Sequence, residues 1–227
     1  MNRRLSVVYK FVLSALMILG IIHRAGIFSA ALQLHTLYSF TTISNACVVA
    51  VTLFAILKYG FSLGDPSARF AQVYYLCLMM ILITGLVYHF ILLPQKLAEN
   101  PSYQVFALGN IIAHYIAPVG MLLDWLLFHP KGQLSKKEPL VLVSIPLLYF
   151  MLASLYGYLG STIPGKKTSY VYFFMDIDQL GLGGVIAWVS AILFFVLILG
   201  YFIYALDCVL ASKKSKKIKP TAHGQQV

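Results

Sequence analysis

The sequence predicts an all-α integral membrane protein with six transmembrane helices and both termini cytoplasmic, and three observations support it. The 227 residues are 60% hydrophobic and only 11% charged, less than half the roughly one quarter that a soluble domain carries. Six apolar runs, at about 5–28, 37–61, 73–94, 104–128, 139–160 and 181–210, each reach the ~20 residues a helix needs to cross a hydrocarbon core. The basic residues are shared unequally between the two sets of loops, which sets an orientation.

The first run follows Arg3 and Arg4 and could be read as a signal peptide cleaved near Ser29-Ala30-Ala31. Lys10 interrupts it and His23-Arg24 separates it from that site, so it is read as a retained span. The remaining runs are nearly continuous in apolar content, which excludes the alternating strands of a β-barrel. They are punctuated by Gly64-Asp65-Pro66, Asn100-Pro101, His129-Pro130-Lys131-Gly132 and Pro164-Gly165. Residues 1–210 thus form one transmembrane domain, and 211–227 a lysine-rich tail expected to be disordered and cytoplasmic. The tail serves as a topology anchor that can lean on anionic lipid. No inverted repeat of the secondary-transporter kind is visible.

Arg3, Arg4, Lys58 and Arg69 lie on the same side as Lys131, Lys136 and Lys137 and the five lysines of the tail, twelve in all. Arg24, Lys96, Lys166 and Lys167 lie on the other. Twelve against four places both termini on the cytoplasmic side of a cell membrane. The net charge of +10 is a topology signal and no mark of a nucleic-acid partner. Cys47, Cys77 and Cys208 fall within or beside apolar runs without close spacing, which excludes a disulfide framework.

Polar residues inside spans are costly and so are candidates for function. Thr41 and Asn45 are one turn apart, and Thr52 returns to nearly the same azimuth, giving the second helix a polar stripe toward the bundle interior. Such residues also glue helices together without further duty. In the fourth run Asn110 lies one turn before His114 and Pro118 one turn after it. The proline has no N–H, so the His114 carbonyl loses its helical partner. A neutral buried histidine suits general-base work. Asp124 is about 15 Å further along the axis, too far to orient His114, and is read as structural.

Tyr88, His89 and His23 gather near the opposite end of the bundle from the termini, with Tyr170, Tyr172, Asp176 and Asp178 before the last span. Tyr88 and His89 are candidate substrate contacts, and the loop tyrosines fit an interfacial belt. No histidine pair has the spacing of a compact metal set, so no metal is expected. His35, His129 and His223 are read as solvated.

Around Phe40-Thr41-Thr42-Ile43-Ser44-Asn45, His114-Tyr115-Ile116-Ala117-Pro118 and Asp124-Trp125-Leu126-Leu127-Phe128, and again at Tyr170-Val171-Tyr172-Phe173-Phe174-Met175-Asp176 before Leu180-Gly181, the chain resembles the bacterial Pr-six-Pr membrane proteins. The resemblance covers about 35–210. That family is similar to the eukaryotic androgen-induced membrane hydrolases, six-span proteins that cleave fatty acid esters of hydroxy fatty acids with an intramembrane threonine and a histidine. The resemblance implies Thr41 as nucleophile, with Thr42 an adjacent alternative because two threonines stand where the bacterial pattern has one. It implies His114 as base, no cofactor, and a lipid ester or fatty acid as partner alongside membrane lipids. Asp124 differs in the eukaryotic branch, so no catalytic duty is carried over to it.

A threonine hydroxyl needs such a base within hydrogen-bond reach, and Asn45 or Asn110 would donate to the oxyanion. Measured from the ends of their runs, Thr41 and His114 differ in depth by roughly 9 Å, a gap that tilt or a later start of the fourth helix must close. Two readings follow: an intramembrane esterase beside an apolar tunnel, or a lipid-binding or transport protein whose polar pocket does no chemistry. A structural membrane subunit would need neither.

Overall fold

The computed structural model describes residues 3–28, 32–60, 67–160 and 168–218. Six helices are long and apolar enough to cross a membrane: α1 Arg3–Arg24, α2 Phe40–Lys58, α3 Ala68–Glu99, α4 Leu108–Phe128, α5 Glu138–Tyr158 and α6 Ile177–Ser212. There is no strand among the described residues. The chain is an all-α, six-span, multi-pass membrane protein. An even number of crossings brings both termini to one end of the bundle and the loops after α1, α3 and α5 to the other.

Burial within the bundle separates its centre from its rim. Along the apolar window of α3, 67% is covered by protein, against 17% for α6. Helix α3 is the central post, packed by α2 and α4, while α1 packs on α2 and α4. Helices α5 and α6 pair with each other, and α5 meets α3. Wide apolar faces of α1, α5 and α6, with Phe11, Leu148 and Phe194 among them, are exposed from the protein and turn toward lipid. Short hydroxyl pairs tie the inner helices: Ser14 to Thr52 at 2.8 Å and Ser44 to Thr84 at 2.7 Å. These are the interhelical polar contacts that hydrocarbon favours, and Thr52 of the expected stripe belongs to this class.

Helix limits differ from the apolar runs for local reasons. Helix α3 starts at Ala68 because Ser67 caps it, accepting from the Phe70 N–H. Helix α6 starts at Ile177 because Asp176 accepts from the Gln179 N–H at 3.0 Å. Gly181 then breaks its regularity with φ +66°, a conformation glycine adopts without steric cost. The helix continues through Ile218, so 211–218, expected to be disordered, are helical. Residues 219–227, with His223, lie outside the described residues, as do Ser29-Ala30-Ala31 and the side chain of His35.

A second correction concerns His129 and Lys10. His129 was expected in solvent but is buried, its ring 3.7 Å from that of Tyr74 and its Nε2 3.3 Å from Asp124 Oδ2. Lys10 Nζ donates to Asp124 Oδ1 at 2.9 Å and to Ser6 Oγ at 2.9 Å, and the Tyr74 hydroxyl donates to the other carboxylate oxygen. Lys10, Tyr74 and Asp124 thereby join α1, α3 and α4 in the half of the bundle nearer the termini. Asp124 is structural, as its distance from His114 required.

Removing one member of such a buried pair strands a charge, at about 3–5 kcal/mol. Lys10→Met is therefore expected to lower the thermal midpoint of the detergent-solubilised protein strongly. Lys10→Met combined with Asp124→Asn should recover more than half of the loss, because the asparagine still accepts from Tyr74. A double variant no more stable than the single one would show that the pair's charge is not the issue.

Candidate active site

Residue choice at the start of α2 places Thr41 in the first helical turn. Ser39 is extended at φ −74°, ψ 143° and its hydroxyl accepts from the Thr42 N–H, an N-cap. Thr42 turns its hydroxyl back onto the Thr36 carbonyl at 2.7 Å, completing the cap. One residue earlier, Thr41 points the other way, toward α4, and is 5% exposed.

His114 comes from a widened turn. Over Ile112–Ile116 the helix is π, and the Ala117 N–H reaches the Ile112 carbonyl, five residues back. Pro118 follows directly. Helix α3 repeats the arrangement in the same register. Its π turn is Tyr88–Leu92, the Leu93 N–H bonds the Tyr88 carbonyl, and Pro94 follows. A proline at that position cannot supply the ordinary i−4 bond, and the helix accommodates the loss by widening. The two π turns lie against each other, with the Tyr88 and His114 rings stacked at 3.7 Å and 12°.

Gly85 permits this approach. A Cβ there would lie 2.9 Å from the His114 carbonyl oxygen and 2.8 Å from Pro118 Cγ.

Thr41 Oγ1 lies 3.5 Å from His114 Nε2. On the ring's other side, Nδ1 is 3.1 Å from the Asn110 carbonyl. A carbonyl only accepts, so Nδ1 carries the proton and Nε2 keeps its lone pair toward the threonine. This is the hydroxyl–imidazole–orienting-acceptor order that nucleophilic catalysis requires, with a backbone carbonyl as the third member. The spacing is at the long end of a hydrogen bond, as such contacts often are without substrate.

The pair opens into a cavity of about 920 Å³ at the end of the bundle away from the termini, lined by Thr41, His114 and Tyr88, and by Arg24, Lys96, Tyr103, Asn110 and Tyr172 among others. Its wall mixes many polar side chains with a larger apolar surface. Tyr172 comes from the loop before α6. Its hydroxyl accepts from the Phe40 N–H at 3.1 Å. Enclosure raises its pKa above the usual phenol range, so it stays neutral. Tyr170 is 2% exposed. Neither is a belt residue: both fold inward, and Tyr172 holds the loop over α2. Asp178 is exposed, and His23 is exposed at the cavity edge.

The other expected contacts divide. Asn45 is buried, its amide donating to the Thr41 carbonyl at 2.8 Å and the Ala113 carbonyl at 3.4 Å. Both donor hydrogens are committed and it is absent from the cavity wall, so it is a helix tie and no oxyanion donor. Asn110 lines the cavity, but its amide donates to the Tyr103 hydroxyl at 2.9 Å and the Gln104 carbonyl at 3.1 Å. Its contribution is to hold His114 through its backbone and Arg24 through its side-chain oxygen, 3.4 Å away. His89 is exposed and paired with Tyr115 at 3.1 Å, outside the cavity; it is no substrate contact. Among the described residues, no group of three His, Cys, Asp or Glu is arranged to hold a metal ion.

Arg24 is the residue that sequence reasoning missed, having counted it only as a topology charge. Compared with family models, curated proteins and solved structures, the chain matches none.

A methyl group at Gly85 must displace the His114 turn. Gly85→Ala is expected to cost about 1–3 kcal/mol, the usual penalty of overpacking. Gly183→Ala, where a Cβ would meet nothing within 4 Å, serves as the control and is expected to be neutral or slightly stabilising. Equal thermal midpoints for the two variants would contradict this account of the turn.

Proposed function

We propose that the protein is an intramembrane hydrolase of lipid esters, of the fatty acid ester of hydroxy fatty acid type. The observation that carries this reading is the Thr41–His114 contact, with the histidine proton fixed on the Asn110 carbonyl and the hydroxyl facing a cavity large enough for a ligand. The resemblance to threonine-dependent membrane hydrolases supports it independently at the same two residues.

In this reading Thr41 Oγ attacks the acyl carbonyl carbon while its proton passes to His114 Nε2. The tetrahedral oxyanion forms beside the first turn of α2, whose positive dipole end stabilises it. Collapse expels the alcohol, which takes the proton back from His114, and leaves an acyl-threonine. A water then loses its proton to His114 and attacks the acyl carbon, and the proton returns from His114 to Thr41 Oγ as the fatty acid leaves. Tyr88, stacked on the imidazole, keeps the ring in plane for both proton transfers. Thr42, engaged with Thr36, takes no part.

A second reading is favoured by the polar side chains in the cavity lining: a binding or transport protein that holds a lipid head group without chemistry. The two separate on covalent labelling. Thr41→Ala and His114→Ala are expected to lose ester hydrolysis by at least about 100-fold, and a fluorophosphonate probe should label the wild type and Thr42→Ala but not Thr41→Ala. Full hydrolysis in Thr41→Ala, or labelling indifferent to residue 41, would remove the enzyme reading and leave the binding one.

A further inference from the structure

The cavity wall carries two cations, Arg24 and Lys96, and neither is in an ion pair among the described residues. Two carboxylates line it, and each is already engaged: Asp176 accepts from the Gln179 N–H and side-chain amide at 3.0 Å each, and Glu99 from Gln95 at 2.6 Å. Among the described residues, the ion pairs all involve Asp124, at the far end of the bundle. Arg24 therefore has no carboxylate partner there.

Among the described residues its one side-chain hydrogen bond is to Asn110 Oδ1 at 3.4 Å, long for a charge-assisted bond. Its Nε is buried with no hydrogen-bond partner. A guanidinium has five N–H donors and no acceptor, and leaving a buried charged donor unmet is costly. The fold makes room for it even so. At Gly109 a Cβ would come within 2.9 Å of Arg24 Cγ, so the glycine lets the arginine stem lie against α4. Lys96, whose ammonium sits 5.1 Å from the Tyr103 ring centroid, adds a second positive charge to the same wall.

We infer that Arg24 is an anion subsite: its guanidinium, backed by Lys96, takes the carboxylate or phosphate of an amphiphile whose acyl ester lies at Thr41. The ester half of this statement rests on the hydrolase reading; the anion half does not. Asn110 links the two. Its side-chain oxygen faces Arg24 and its carbonyl holds His114, so the distance between anion and base is set by a single residue of α4. A substrate is then selected for an anionic group at a fixed spacing from the bond to be cut.

The test uses the purified full chain in an uncharged detergent and three palmitoyl esters: that of a hydroxystearic acid, its neutral methyl ester, and palmitoyl lysophosphatidate. The wild type is expected to favour an anionic ester over the neutral one by roughly 10-fold or more in kcat/KM, the scale of one charge-assisted hydrogen bond. Whichever anion is favoured identifies the group. In Arg24→Gln the preference should collapse, mainly through KM. Arg24→Lys, which keeps the charge but loses the planar fork, should lower it at least about threefold, and carries the comparison where the glutamine variant does not fold. The same preference in wild type and variants, or no preference in the wild type, overturns the subsite.

If none of the three esters is turned over, the same protein is probed with dodecanoate, dodecyl phosphate and dodecanol by thermal shift. Stabilisation by an anion that depends on Arg24 upholds the subsite while removing the hydrolase. Equal stabilisation by dodecanol overturns it.

Discussion

Between α3 and α4 there is no room for a methyl group. Gly85 lets the two backbones meet where each has widened into a π turn ahead of a proline, and the candidate site depends on that contact. Within hydrocarbon a helix cannot leave a carbonyl open to lipid, so a break such as the one at Pro118 must face protein or water. The neighbour it faces is Gly85, and beyond it the cavity. The widened turn swings the His114 ring over Tyr88 and toward α2, and the matching turn in α3 brings Tyr88 beneath it. The irregularity is thus not incidental to the histidine's position: a straight α4 would carry the residue at another azimuth.

The same constraint explains what the sequence made legible. Span number and polarity pattern follow from the lack of water in the bilayer, and both are written in single residues: long apolar runs, a basic excess at alternate loops, and few polar groups between. Thr41, His114 and Pro118 stand out because each is expensive where it lies. Pro94 makes the same signal in α3, yet it falls at the edge of its apolar run and reads as a terminus. The depth of residues was less legible. Helix α4 starts four residues after its run does, but α2 starts three after, so counting from helix ends still leaves Thr41 and His114 several ångströms apart. Their contact shows that helix ends do not share one plane, a property of loops that periodicity does not encode.

The roles of charges were less legible for a related reason. Lys10, Arg24 and His129 each lie near a run's end or interruption, where a basic residue is ordinarily an orientation signal or a solvated group. Two of them are instead committed to tertiary contacts: Lys10 and His129 converge on Asp124 from different segments, and only the packing of α1, α3 and α4 shows it. Nothing in the spacing of residues 10, 124 and 129 links the first of them to the others. Arg24 differs in kind, because packing does not finish its bonding. The distinction between a charge neutralised by the fold and one the fold leaves incomplete is invisible in sequence and decides which of the two has a ligand.

The two ends of the bundle accordingly divide the work. Near the termini, Asp124 is surrounded by Lys10, Tyr74 and His129, and a cluster of that kind holds three helices in register. Across the bundle, Arg24, Lys96 and the Thr41–His114 pair share a cavity in which, among the described residues, no carboxylate is ion-paired to the arginine. If that cavity were merely a solvated loop pocket, an arginine there would gain nothing from Gly109, since exposed arginine stems need no special clearance. A glycine that admits the stem, an asparagine that touches both the guanidinium and the base's turn, and an unmet Nε belong together only if something negative completes them. A site that reads the charged end of a lipid and cuts at a set distance from it needs such polar groups beside apolar surface for the chains, and the cavity offers both.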